Sequence, residues 1–224
     1  MPGWNLPSLI DHTVLKPDAT KTDVLRLCQE AKQHGFTVIF VPPSYVDEAV
    51  AAVADTAIRV GIPIGFPLGG HTTKTKVAEA VEAVARGAQV LDMVINVSRL
   101  KSGDHDLVRV DIAEVVRATP TTEHKVILET CYLTQQEKLT ACRLAVEAGA
   151  DYVKTSTGFG SAGATVEDVR LLKAAVAGRA NVKASGGIRD WKTALALLEA
   201  GADRIGTSAS LKILDEWTVT QGGR

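Results

Sequence analysis

Three side chains carry the chemistry this sequence could perform: Asp92, Lys154 and Lys183. Each stands in a short apolar or β-branched run: Leu91-Asp92-Met93-Val94-Ile95-Asn96-Val97, Tyr152-Val153-Lys154 and Asn181-Val182-Lys183. Strand side chains alternate between two faces. In the first run Leu91, Met93, Ile95 and Val97 form one apolar face, which leaves Asp92, Val94 and Asn96 on the other. In the second and third runs the valine takes the apolar face and turns the lysine to the side of Asp92. Lysine is a poor strand residue and is seldom buried unless paired. A buried carboxylate without a counter-charge is costly, so Asp92 calls for a cation and the two lysines can supply it. Two ammonium groups a few Å apart in a partly dry space push at least one pKa down. A fall from about 10.4 to about 7 corresponds to roughly 4–5 kcal/mol. The product is a neutral amine, the form that attacks a carbonyl. Each lysine alone reads better as part of an ion-pair network; the trio together points to imine chemistry.

Such a trio needs a scaffold that brings distant strands together. Glu147-Ala148-Gly149-Ala150-Asp151 recurs as Glu199-Ala200-Gly201-Ala202-Asp203, with looser copies at Ala85-Arg86-Gly87-Ala88-Gln89 and Lys32-Gln33-His34-Gly35-Phe36. Each copy follows an amphipathic stretch and precedes a β-branched run, which reads as a helix closed by glycine and then a strand. The alternation predicts a parallel sheet. Strands are expected near 9–12, 37–41, 59–66, 90–96, 125–129, 152–155, 181–184 and 204–206. Helices are expected near 22–34, 45–54, 73–86, 106–118, 135–148, 166–177, 191–200 and 208–216. Eight of each in 224 residues fit one α/β domain, a (β/α)₈ TIM barrel spanning 1–224, whose function would sit at the carboxyl ends of the strands.

Glycine-rich turns follow those ends. Thr155-Ser156-Thr157-Gly158-Phe159-Gly160 follows Lys154, Ala184-Ser185-Gly186-Gly187-Ile188 follows Lys183, and Gly206-Thr207-Ser208 follows the eighth strand. Exposed backbone N–H groups and a helix N-terminus there suit an anion, and loops seven and eight commonly hold phosphate in this fold. Gly158-Phe159-Gly160-Ser161-Ala162-Gly163 matches G-x-G-x-x-G. No acid stands about 20 residues on, as a dinucleotide site requires, so it reads as a turn. Gly69-Gly70-His71-Thr72-Thr73-Lys74 lacks the order of a Walker loop, and its threonines read as helix caps.

Other classes of function are disfavoured. With 25 basic and 26 acidic side chains and a net charge of −1, there is no global field for nucleic acid or an anionic membrane. No apolar stretch approaches the roughly 18 residues of a membrane helix, and the N-terminus lacks the pattern of a signal peptide. Cys28, Cys131 and Cys142 have no C-x-x-C spacing, which fits a reducing cytoplasm. The five histidines are scattered: His34 and His124 read as surface residues, and His12 as structural, with the barrel mouth as its alternative. Without a ligand cluster, neither a metal nor another cofactor is expected.

Five segments carry a family resemblance: Leu9–Pro17, Gly65-Phe66-Pro67-Leu68-Gly69, Asp92–Asn96, Val153–Phe159 and Val182–Ile188. They resemble deoxyribose-phosphate aldolase, from about Leu9 to Leu214. The resemblance implies a class I aldolase that reversibly cleaves 2-deoxy-D-ribose 5-phosphate to acetaldehyde and D-glyceraldehyde 3-phosphate. By motif, Lys154 matches the Schiff-base lysine and Lys183 the lysine that lowers its pKa and assists proton transfer. Asp92 matches an acid/base carboxylate acting through a water, and Gly158, Gly186, Gly187 and Ser208 match phosphate-binding positions. The resemblance also implies self-association, as a homodimer or homotetramer. Phe40 and Pro42 stand where many members have Cys and Asn, Gly70-His71 where Ala-Asn is more usual, and Ala209 where a second serine is common, leaving its backbone N–H to serve. The alternatives are another Schiff-base sugar-phosphate lyase of transaldolase type, and a non-catalytic sugar-phosphate-binding barrel.

Overall fold

A computed structural model describes residues 4–222. Eight parallel strands close into a barrel in sequence order: β1 Ile10–Thr13, β2 Val38–Phe40, β3 Arg59–Ile64, β4 Val90–Val94, β5 Glu123–Ile127, β6 Tyr152–Lys154, β7 Asn181–Ser185 and β8 Arg204–Thr207. Around them lie α1 Leu6–Leu9, α2 Lys21–His34, α3 Val46–Val53, α4 Thr73–Ala85, α5 Val97–Lys101, α6 His105–Ala118, α7 Gln135–Glu147, α8 Val166–Val176, α9 Trp191–Glu199 and α10 Ser210–Gly222. Every expected strand and helix is present. Among the described residues no helix is long and apolar enough to cross a membrane.

The near-repeat has a physical basis. Gly35, Gly87, Gly149 and Gly201 all take left-handed φ, from +76° to +109°. The next N–H in each reaches back five residues, Phe36 to Ala31, Ala88 to Ala83, Ala150 to Ala145 and Ala202 to Leu197, at 3.0–3.1 Å. This is the bond that closes a Schellman turn. In the two strict copies the aspartate ties the turn to the sheet. Asp151 Oδ2 accepts the N–H of His124 and Asp203 Oδ2 that of Val182, each at 2.8 Å. Thr20 and Thr134 open α2 and α7 with capping boxes, and Thr72 caps α4; of the two threonines before Lys74, both expected as caps, Thr72 is one and Thr73 is the first helical residue.

Two short α-helices were not expected. Leu9 belongs to α1, which starts at a proline-containing turn. The apolar run through Ile95-Asn96-Val97 leaves the strand early: Asn96 Oδ1 accepts the Arg99 N–H at 3.2 Å and caps α5. Asn96 therefore does not face the barrel interior. The last helix begins at Ser210, two residues later than expected, and runs longer.

The main apolar core lies between sheet and helices, where Leu91 and Met93 of β4 and Ile95 just beyond it belong to one buried cluster with Ile112 and Val115 of α6. One ion pair is sealed into this layer. Lys76 on α4, fully buried, donates to Asp111 Oδ2 of α6 at 2.5 Å and to the carbonyl of Val94 at 2.9 Å. Lys76→Met would leave Asp111 buried without a counter-charge, so a loss of about 3–5 kcal/mol is expected. Urea denaturation should show it as a lower midpoint with unchanged slope, and Lys76→Met/Asp111→Leu should recover most of the loss.

Candidate active site

The barrel interior is charged where such interiors are usually apolar. Asp11 of β1, Asp92 of β4, Lys125 of β5, Lys154 of β6, Lys183 of β7 and Arg204 of β8 all point inward and are buried. Lys154 and Lys183 are direct register partners on adjacent strands. Both donate to the same oxygen, Asp92 Oδ2, at 2.6 and 2.7 Å. Asp92 Oδ1 has no protein hydrogen bond. Lys183 also pairs with Asp11 Oδ2 at 2.6 Å, and Arg204 Nε donates to Asp11 Oδ1 at 2.6 Å. Lys125 lies 4.0 Å from Asp11 and pairs with Glu123. The trio read from strand alternation is thus assembled, inside a larger network.

The electrostatics separate the two lysines. Burial, the largest effect, brings the Lys154 amine down to about 8; Asp92 opposes this and the Lys183 charge adds to it. The fall is milder than the one to about 7 expected from the sequence, and desolvation leads it, with like charge second. For Lys183 burial also pulls down, but Asp11 and Asp92 together outweigh it and hold it above the usual lysine value. Burial would raise both carboxylates; Lys183, Lys125 and Arg204 hold Asp11 low, and Lys154 and Lys183 do the same for Asp92. Like-strand neighbours of opposite behaviour are what an amine-and-acid pair requires.

Above Lys154 a cavity of about 290 Å³ opens at the carboxyl ends of the strands. Gly158, Gly186, Gly187 and Ser208 line it, as the sequence led us to expect, together with Lys16 and Arg189 and no carboxylate. The three glycines take φ of +90°, +88° and +77°, conformations that side chains rarely adopt. The G-x-G-x-x-G segment is a packing device. A Cβ on Gly163 would stand 2.1 Å from the Gly186 carbonyl oxygen, and Ala164 donates its N–H to that carbonyl at 3.0 Å. The backbone N–H of Ala209, read as free for an anion, instead donates to Thr207 Oγ1 at 2.9 Å.

Comparison with known proteins adds an independent line. The family model of DeoC/LacD family aldolase matches residues 7–216. The chain belongs to the DeoC/LacD aldolase family. A relative from Thermoanaerobacter sp. (strain X514), named deoxyribose-phosphate aldolase, is 56% identical over 216 residues, 95% of this chain and 97% of its own. A solved structure described as QR15, an aldolase, superposes with a TM-score of 0.93 at 44% identity, covering 97% of both chains. The deoxyribose phosphate aldolase from Aeropyrum pernix, described as a unique tetrameric structure, gives a TM-score of 0.90 at 33% identity over 96% of this chain and 92% of that one.

Some residues of this DeoC/LacD aldolase escaped the sequence reading. Asp11, Lys125 and Arg204 alternate with Ile10, Val126 and Ile205, which pack outward; the alternation rule that picked Asp92 would have picked them. The seventh strand runs two residues past Lys183, which sits mid-strand. His12 faces the helix layer and not the mouth, hydrogen-bonded to Ser210 at 2.9 Å and Glu30 at 2.8 Å and stacked on Phe36. Its structural role holds. His124, expected at the surface, is buried and bonded to Thr119 and Thr122, because β5 begins two residues earlier than its apolar run; His34 is half-buried.

Proposed function

We propose that this member of the DeoC/LacD family is a deoxyribose-phosphate aldolase, a lyase that reversibly converts 2-deoxy-D-ribose 5-phosphate to acetaldehyde and D-glyceraldehyde 3-phosphate. What carries the reading is the Lys154 amine, register partner of Lys183 and 2.6 Å from Asp92, at the base of a cavity lined by cations and glycines and no carboxylate. Neutral Lys154 attacks the aldehyde carbon, and loss of water gives an imine whose cationic nitrogen is an electron sink. Asp92, through one water, takes the proton from the sugar's 3-hydroxyl as the bond between carbons 2 and 3 breaks. Lys183 holds the Lys154 pKa down and assists return of a proton to the two-carbon enamine. Hydrolysis of the resulting imine releases acetaldehyde and restores Lys154. Gly158, Gly186, Gly187 and Ser208 take the phosphate, with Lys16 and Arg189 supplying charge.

The same reading places the enzyme in the cytoplasm, consistent with three free thiols, and as a homodimer or homotetramer. The tetrameric Aeropyrum pernix relative supports the latter, and light scattering measures it. A non-catalytic sugar-phosphate sensor would gain nothing from a depressed amine.

Borohydride added together with deoxyribose phosphate is expected to inactivate the protein and leave a mass increment on the peptide containing Lys154. A label on any other lysine, or survival of activity, counts against the proposal.

A further inference from the structure

Phe40 occupies an unusual position. It is 1% exposed, and with Val38 and Val90 it forms a small apolar cluster inside the barrel, separate from the core between sheet and helices. Its register partner on β3 is Gly61. A Cβ on Gly61 would lie 2.6–2.8 Å from three carbons of the ring, so the ring fits only because that strand carries no side chain there. The Lys183 Nζ stands over the ring face, 3.9 Å from its centroid, and those of Lys154 and Lys125 lie at 5.7 Å. On the far side, a Cβ on Gly206 would meet Lys183 Cε at 2.8 Å. The Lys183 stem is therefore confined between the Phe40 ring and the β8 backbone.

We propose that Phe40, seated over Gly61, is a positioning residue of the lysine pair: it keeps solvent from the space beneath the Lys154 amine and braces the Lys183 ammonium against Asp11 and Asp92. This rests on the Schiff-base reading above. An aromatic face attracts a desolvated ammonium and offers no hydrogen bond that could compete with the carboxylates. The same ring fills volume that would otherwise admit water among charged groups, and water there would relieve the desolvation acting on Lys154. The charges facing the lysine pair are Asp11 from β1, Asp92 from β4, Lys125 from β5 and Arg204 from β8, with Glu123 and Arg59 paired beyond Lys125. From β2 and β3 the pair meets Phe40 and Gly61, so solvent exclusion on that side falls to the ring.

The test compares the pH dependence of kcat/KM in the wild type, Phe40→Ala and Phe40→Leu, with borohydride trapping in each. In Phe40→Ala the acid limb should move to higher pH by about one unit, roughly a tenfold loss of neutral amine at neutral pH, with trapping still at Lys154. Phe40→Leu, which keeps more apolar volume, should move it about half as far. A loss of folded protein alone would lower the whole profile without moving its limb. If the limb stays in place in Phe40→Ala, the proposal is overturned; should that variant not fold, an unmoved limb in Phe40→Leu overturns it. Absence of trapping at Lys154 in the wild type would instead bring down the Schiff-base reading.

Discussion

Lys154→Leu is expected to lower kcat/KM by at least about 10⁴-fold, because the variant retains substrate binding and loses the covalent route. Its stability should behave differently. The folded amine sits at about 8, below its value near 10.4 in an unfolded chain. Between those two values the unfolded state binds more protons, so stability from this group rises with pH across that window and is lowest below it. Leucine removes that dependence. Asp92 keeps Lys183 at 2.7 Å, so it is not stranded. The variant is expected to be at least as stable as the wild type at pH 7, and its advantage should shrink as pH rises from about 8 to about 10.4. Parallel denaturant titrations across that range check the slope, and steady-state assays check the activity. A variant that is both inactive and strongly destabilised at pH 7 would show that Lys154 serves the fold more than the chemistry.

Lys183→Leu should have the second largest effect, and its form is diagnostic. With the Lys183 charge gone, Lys154 faces Asp92 without a competing cation, so its pKa should rise toward the ordinary lysine value. The acid limb of kcat/KM should move up by a unit or more, and activity at pH 7 should fall by about 10²–10³-fold, combining a scarcer neutral amine with lost proton transfer. Asp11 loses its partner at 2.6 Å and keeps Arg204 at 2.6 Å, with Lys125 at 4.0 Å. Removing one member of this buried network should cost about 3–5 kcal/mol, so folded fraction must be measured beside the kinetics. An unchanged limb would mean that burial alone sets the Lys154 amine and that Lys183 has no part in it.

The sequence was most legible where one rule acted alone. Glycine-closed helices announced the β/α alternation because the Schellman bond needs a left-handed residue at one place. Asp92, Lys154 and Lys183 stood out because a charged residue in an apolar strand violates the pattern around it. The same signal at Asp11, Lys125 and Arg204 is masked by polar neighbours: His12 and Thr13 follow Asp11, Glu123 and His124 precede Lys125, and Asp203 precedes Arg204, so the charged residue does not stand alone in an apolar run. Asn96 misled because it continues an apolar run in sequence while its side chain can end the strand by capping α5. Phe40 read only as a departure from the family's cysteine; its seat beneath the lysines depends on the absent side chain of Gly61, on another strand. Ala209 illustrates the limit of counting backbone donors, since Thr207 two residues earlier already uses the one in question.

The contact between Gly163 and the Gly186 carbonyl makes the segments after β6 and β7 interdependent. A Cβ at either position would strike backbone, 2.1 Å from Gly186 O in one case and 3.0 Å from Gly163 Cα in the other. Loop grafting or directed evolution aimed at new acceptors would therefore have to exchange 155–164 and 185–188 as one cassette. Randomising either stretch alone should yield mostly non-viable clones, since half of an interlocked pair would be left without its mate.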